Sequence, residues 1–250
     1  MGNTQSITVQ SGHMKELMLF VVAGVLMGCS KDPAEKISQS ELEGAVNLMV
    51  KNFESIEALA EKGDAVAQYN LGLMYIRGHG VEQDFNEAFK WTKKAADQGF
   101  GKAQYNLGLL YSNGDGVLKD DKEAVKWWRK AAEQGFAEAQ HNLGLMYSNG
   151  QGVEKDFKEA VKWYLKAAEQ GYIGAQYNLG VMYGKGEGVL EDGVVAYAWL
   201  NIAAVNGHKI AKDFKHKIAN DMTSKAIAKS EELLIEMVKK NPKLLNKKEN

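Results

Sequence analysis

Apolar residues recur along this chain at intervals of three and four, the spacing of one face of an α-helix. Ala67, Leu71 and Met74 form one such stripe, and Trp91 and Ala95 belong to a second. A glycine-rich stretch lies between the two stripes. The pattern predicts two amphipathic helices joined by a loop.

The helix-loop-helix pattern occurs four times in the sequence. Residues 67–75 return with few changes at 103–111, 139–147 and 175–183, a period of 36. A tryptophan follows the same period, at Trp91, Trp127, Trp163 and Trp199. A repeat of this length is typical of a solenoid, in which each unit packs mainly on its neighbours.

Local signals within each repeat agree with this hairpin. Asp84 followed by Glu87 reads as an N-cap with a capping box, and Gly99 stands where a left-handed cap residue belongs. Gly72 lies inside the first helix, where glycine costs about 1 kcal/mol relative to alanine. Its recurrence predicts that the second helix approaches closely at this point.

The repeated pattern is A-x-x-N-L-G-x-x-Y, then G-x-G-V-x-x-D, E-A, W, K-A-A and Q-G, over residues 64–208. It resembles the Sel1-like repeat, a relative of the tetratricopeptide repeat. The resemblance implies an all-α, right-handed solenoid of helix-loop-helix repeats. It also implies a scaffold that binds proteins or peptides on a concave surface lined by the first helices.

The same resemblance implies which side chains line the groove. Four asparagines in register could offer a donor and an acceptor each to an extended peptide; alternatively, they could bond the neighbouring helix and fix the repeat spacing, and the sequence leaves both open. The candidate peptide-binding residues are Tyr69, Asn70, Leu73, Arg77, Tyr105, Asn106, Asn113, His141, Asn142, Asn149, Tyr177, Asn178 and Lys185.

Some aromatic positions carry separate expectations. The four period-36 tryptophans fall at buried helical positions. Trp128 and Tyr164 follow two of them in a variable slot, and we expect both to be partly exposed. His141 replaces a repeated tyrosine, which favours a variant surface position. If the asparagines are structural, the functional surface is predicted around Trp128 and Tyr164.

The N-terminal region reads as a signal peptide over residues 1–28, with Met14 as an alternative start. Leu26-Met27-Gly28 precedes Cys29, the one cysteine of the chain, and resembles a bacterial lipobox. This resemblance implies lipidation of Cys29 and attachment to the bacterial envelope, with the outer membrane favoured because Ser30 follows. A soluble core segment and an uncleaved anchor are the alternatives.

The remaining organisation follows from composition. We predict a tether at 29–40, an N-terminal capping helix at 41–63, the repeats at 64–208, and C-terminal capping helices with a tail at 209–250. That last region holds eleven lysines against six acidic residues. A solvent-exposed helical face explains this excess of lysine. The alternative is a surface that contacts anionic lipid or peptidoglycan.

The sequence argues against nucleic-acid binding, metal binding and catalysis. A net charge of −1 gives no overall field that attracts nucleic acid. There is no H-E-x-x-H pair, no Cys-based zinc site and no serine nucleophile motif, so we expect no metal, no cofactor and no enzyme activity. The predicted function is a lipid-anchored, non-catalytic scaffold with an adaptor or host-interaction role. The alternatives are a β-lactamase-like or penicillin-binding enzyme and a purely structural envelope lipoprotein.

Overall fold

A computed structural model describes residues 39–245 of the 250-residue chain. Cys29, the predicted signal peptide and nearly all of the predicted tether lie outside this part. The described residues form eleven α-helices and one short 3-10 turn, without a β-strand among them. The predicted all-α class is therefore confirmed. The helices fall into two compact units, one ending at Lys119 and the other beginning at Asp120.

The first unit contains four helices, and each packs against the next along the chain. One apolar cluster of this unit is formed by Phe53 and Ala60 from the first helix, Ala67 and Leu71 from the second, and Val81 from the loop that follows. The helices are α1 (Gln39–Glu61), α2 (Ala65–Arg77), α3 (Phe85–Asp97) and α4 (Gly101–Asn113).

The second unit contains seven helices and the 3-10 turn. Its largest apolar cluster is built around Tyr164, Leu179 and Trp199. The last two helices, α10 and α11, both pack on α9, and the 3-10 turn contacts α7. The elements are α5 (Asp121–Glu133), α6 (Ala137–Asn149), α7 (Phe157–Glu169), α8 (Ile173–Lys185), α9 (Gly193–Val205), α10 (Lys209–Asn220), α11 (Ser224–Lys240) and the 3-10 turn Pro242–Leu244.

An aspartate caps the second helix of each repeat, as the sequence predicts. Asp84 Oδ1 accepts from the backbone N–H groups of Asn86 and Glu87 at 2.7 and 3.1 Å. The reciprocal half of the predicted capping box is wrong, because the Asp84 N–H donates to the carbonyl of Tyr75 in the preceding helix. Glu87 instead forms an exposed ion pair with Lys90. Asp120, Asp156 and Asp192 cap their helices in the same way.

The mid-helix glycines allow close contact between the two helices of a repeat. A Cβ added at Gly144 would lie 2.5 Å from Tyr164 Cε1, and one added at Gly180 would lie 2.6 Å from Leu200 Cγ. Gly72 meets Thr92 in the same manner. The residue that follows the repeated tryptophan position therefore packs onto the glycine of its own repeat.

This contact corrects the expectation for the slot after the tryptophan. Trp128 and Tyr164 are only 4% and 2% exposed, so neither belongs to a surface patch. Variation in this slot had suggested exposure. Within the described units, the slot is a core position whose side chain differs because each repeat fills the space over its glycine with a different shape.

Candidate functional site

The asparagine and aromatic candidates in the middle of the first helices contact neighbouring repeats. Asn178 Nδ2 lies 3.2 Å from His141 Nε2 on the preceding first helix. In the first unit, Asn106 lies within hydrogen-bonding reach of the Tyr69 hydroxyl. For Asn106 and Asn178, these contacts are of the kind expected if the asparagines fix the repeat spacing.

Aromatic pairs reinforce the same junctions. The ring of Tyr69 meets Phe100 edge-on at 5.2 Å between centroids. His141 lies 4.7 Å from Tyr172, and Tyr177 stacks on His208 at 4.3 Å with 13° between the planes. The third and fourth repeats thus exchange the positions of histidine and tyrosine. The groove candidates Tyr69, His141 and Tyr177 therefore each pack against the aromatic ring that ends their own repeat.

His141 is half-buried rather than a variant surface residue. Tyr164 and Tyr172 flank its ring, and its Nδ1 atom is buried without a hydrogen-bond partner. Burial lowers the pKa of His141, although a hydrogen bond with Asn142 opposes the shift. Burial also raises the pKa of Tyr164 to about 12, against hydrogen bonds from Ser148 and Asn178.

A second group of candidates stands at the C-terminal ends of the first helices. These residues are exposed, and three of them contact the loop residue two positions ahead. Asn113 Nδ2 donates to Asp115 Oδ2 at 3.0 Å, and Asn149 Nδ2 lies 3.4 Å from Gln151 Oε1. Lys185 Nζ lies 4.0 Å from Glu187 Oε1. The exposed residues are Arg77, Asn113, Asn149 and Lys185, whereas Asn70, Leu73, Tyr105, Asn106 and Asn142 are half-buried.

The structure also reveals buried glutamines that the sequence interpretation missed. Gln68, Gln104, Gln140 and Gln176 lie at period 36 and are 0–5% exposed. Each donates its Nε2 hydrogen to an alanine carbonyl eight residues earlier, at 3.0, 3.3, 3.0 and 3.4 Å respectively. The signal was present in the sequence, because glutamine recurs directly after an apolar position of the stripe.

The Q-G turn of a repeat supplies the second half of this network. Gln98 Nε2 donates to Gln68 Oε1 at 2.7 Å, and Gln170 Nε2 donates to Gln140 Oε1 at 2.8 Å. In the fourth repeat the donor is Asn206, whose Nδ2 lies 2.8 Å from Gln176 Oε1. We call these residues the glutamine ladder: the four glutamines of the first helices with Gln98, Gln170 and Asn206, together with Gln134, which occupies the matching position of the second repeat in the sequence.

Few features of the described residues suggest chemistry on a small molecule. None of them forms a cluster of three or more His, Cys, Asp or Glu side chains suited to a metal ion. Two surface clefts of about 520 and 510 Å³ lie beside Tyr147 and beside Leu48 and Met49. No helix in residues 39–245 has both the length and the apolar character needed to cross a membrane.

Comparisons with known proteins place these features in context. A family model described as the Sel1 repeat matches residues 65–100, 101–136, 137–172 and 173–208. The crystal structure of a Sel1 repeat protein from Oxalobacter formigenes has a TM-score of 0.62 and 37% identity, covering 68% of this chain and 49% of that one. This chain therefore spans about half the length of that relative.

Two further matches are more limited. The crystal structure of c5321, a protective antigen of uropathogenic Escherichia coli strains with an SLR fold, has a TM-score of 0.49 and 28% identity, covering 78% of this chain and 58% of that one. The sel1-like repeat-containing protein L18 of Acanthamoeba polyphaga mimivirus is 43% identical over 42 residues, which are 17% of this chain and 7% of that protein.

Proposed function

Because the chain belongs to the Sel1 repeat family, we propose that it is a non-catalytic solenoid scaffold that binds a protein or peptide along the first helices of its repeats. The proposal rests on how constant and variable positions are distributed. The alanine, leucine and glutamine positions that recur unchanged in the first helices are all buried. The last position of each first helix is exposed and varies between repeats, being arginine in the first, asparagine in the second and third, and lysine in the fourth. A constant interior with a variable exposed row is the arrangement expected of a binding scaffold.

This row offers mixed polar chemistry. Arg77 and Lys185 are cationic, whereas Asn113 and Asn149 can donate and accept hydrogen bonds. The mid-helix asparagines and aromatics contribute by fixing the spacing between repeats. Binding specificity then comes from Arg77 and Asn113 in the first unit and from Asn149 and Lys185 in the second; we call these four residues the variable row.

Photo-crosslinking tests this assignment. A benzophenone amino acid at Asn149 should capture a discrete partner in cells of the native host. The matched control is Lys158, an exposed residue at the start of the second helix of the same repeat. Capture of the same partner in equal yield from both sites would contradict binding along the first helices.

The proposal includes membrane attachment through Cys29 in a bacterial envelope, favouring the outer membrane. Support comes from the sequence, where Cys29 follows Leu26-Met27-Gly28. Helix α1 begins ten residues later, so an extended tether would span at most about 36 Å. Stable anchoring requires more than one acyl chain. Cys29→Ser should abolish labelling by a palmitate analogue and leave uncleaved precursor, and equal labelling of both proteins would rule the anchor out.

A further inference from the structure

The last residues of the described chain fold back onto the fourth repeat. Leu244 is 3% exposed and belongs to the main apolar cluster of the second unit. Its carbonyl oxygen accepts two side-chain amide hydrogen bonds, from Gln176 Nε2 at 2.9 Å and from Asn206 Nδ2 at 2.7 Å. Asn241 Nδ2 donates to the carbonyl of Glu169 at 2.7 Å and fixes the start of the turn. The backbone carbonyl of Leu244 is therefore held by two hydrogen bonds, while its side chain is buried in the apolar cluster.

The identity of residue 206 explains why the segment docks at this repeat. In the first repeat, Gln98 uses its amide to reach both Gln68 Oε1 and the carbonyl of Gly63. Asparagine is shorter by one methylene. Asn206 still bonds Gln176 but directs its other hydrogen bond to Leu244. The Gln176 side chain is also directed toward Leu244. Its Nε2 atom lies 2.9 Å from the Leu244 carbonyl oxygen but 3.4 Å from the Ala168 carbonyl oxygen.

We infer that Gln176 and Asn206 form a peptide-binding site for a leucine-centred turn, occupied in cis by residues 241–245. The site is separate from the variable row. The two amides recognise the carbonyl, the apolar cluster accepts the leucine side chain, and Asn206 is the specificity-determining residue. Recognition by the buried Gln176 amide and the half-buried Asn206 amide is selective because an unmatched ligand leaves these amides without this partner. The ligand class is a short peptide that presents Leu within an Asn-Pro-x-Leu-Leu turn.

Asn206→Gln tests the assignment while restoring the residue that the other three repeats carry. Full-length protein with this change should retain its ladder but release the turn. Hydrogen exchange at the Leu244 amide, which donates to the Asn241 carbonyl at 3.1 Å, should accelerate by about tenfold or more. Asn220→Gln, at an exposed position of α10, is the matched control and should leave this exchange unchanged. Unchanged protection of Leu244 in Asn206→Gln would overturn the proposal.

A second measurement tests recognition directly. Full-length protein carrying Leu244→Ser and Leu245→Ser presents the site without its cis ligand. A fluorescent peptide of residues 241–247 should bind this variant and bind at least about tenfold more weakly when Asn206→Gln is added. If the emptied variant melts cooperatively and yet fails to bind the peptide, or if both variants bind equally, Gln176 and Asn206 do not form a peptide site.

Discussion

Gln170 Nε2 donates to Gln140 Oε1 at 2.8 Å, joining two side chains separated by thirty residues of sequence. Gln140 also bonds the preceding repeat, since its own Nε2 donates to the carbonyl of Ala132 at 3.0 Å. The pair thus links the two helices of one repeat and ties them to the repeat before. Buried amides of this kind are stabilising only when every partner is present.

Loss of the Gln140 amide should therefore destabilise the protein markedly. Gln140→Ala removes the hydrogen bond to the Ala132 carbonyl, which keeps the Gly135 N–H as a donor, and the hydrogen bond from the exposed Gln170 amide. Each lost hydrogen bond costs about 0.5–1.5 kcal/mol. We expect the free energy of unfolding to fall by about 1–3 kcal/mol in denaturant titration. Gln151→Ala, in an exposed loop, should cost under about 0.5 kcal/mol. Equal losses in the two variants would show that the ladder is not stabilising.

Replacing two of the helical glycines with alanine should change the stability of the protein in opposite directions. Gly144→Ala would bring a Cβ within 2.5 Å of the Tyr164 ring and should destabilise by about 1–3 kcal/mol through overpacking. Gly44 lies in helix α1, where an added Cβ meets nothing within 4 Å. Gly44→Ala should stabilise by about 0.5–1 kcal/mol because alanine favours the helix. Thermal melts of the two variants that shift in the same direction would contradict the packing described at Gly144.

The period-36 tryptophans supply a further test of the core. Trp127 is 7% exposed, and Trp127→Ala should cost about 3–5 kcal/mol. The neighbouring Lys126 side chain is 66% exposed in an ion pair with Glu123, so Lys126→Ala should cost under about 0.5 kcal/mol. Finding both variants equally stable by thermal melt would refute the assignment of the tryptophan to the core.

Stability should also depend on pH through His141. Burial lowers the pKa of the folded histidine below its ordinary value of 6.5, so the unfolded chain takes up a proton first as the pH falls. The free energy of unfolding should decrease as pH drops below about 6.5, and level off once the folded histidine is protonated. His208 shifts in the same direction and contributes part of the slope.

The contribution of His141 can be isolated by substitution. His141→Tyr restores the tyrosine found in the other repeats and should flatten part of the pH profile measured by denaturant titration. Gln151→Ala, in an exposed loop, removes no titratable group and is the control; it should leave the slope of the profile unchanged. An identical slope in wild type and His141→Tyr would contradict the link between this buried ring and acid sensitivity.

Much of the fold could be predicted from the sequence because local signals agreed with one another. The period, the caps at Asp84 and its copies, and the glycines inside the first helices all follow from short-range rules. The capping box was wrong at Glu87 because the Tyr75 carbonyl, from a neighbouring helix, takes the N–H that the glutamate was expected to satisfy. Tertiary contact overrode a local motif.

The candidate site was harder to predict, since it depends on which side chains meet across repeats. Variation at Tyr164 suggested exposure, but the side chain fills space above Gly144. His141 and Tyr172 exchange places with Tyr177 and His208, a pattern that is visible only once the rings are known to touch. The docking of Leu244 has no periodic signal and joins residues 68 positions apart.

Replacing the whole variable row tests the central claim, that the scaffold binds its partner through the exposed ends of the first helices. The four changes are Arg77→Ala, Asn113→Ala, Asn149→Ala and Lys185→Ala, made together at exposed positions. We expect the melting temperature to stay within about 2 °C of wild type. The partner identified by crosslinking should bind at least about tenfold more weakly. A folded quadruple variant that binds this partner with wild-type affinity would contradict the account.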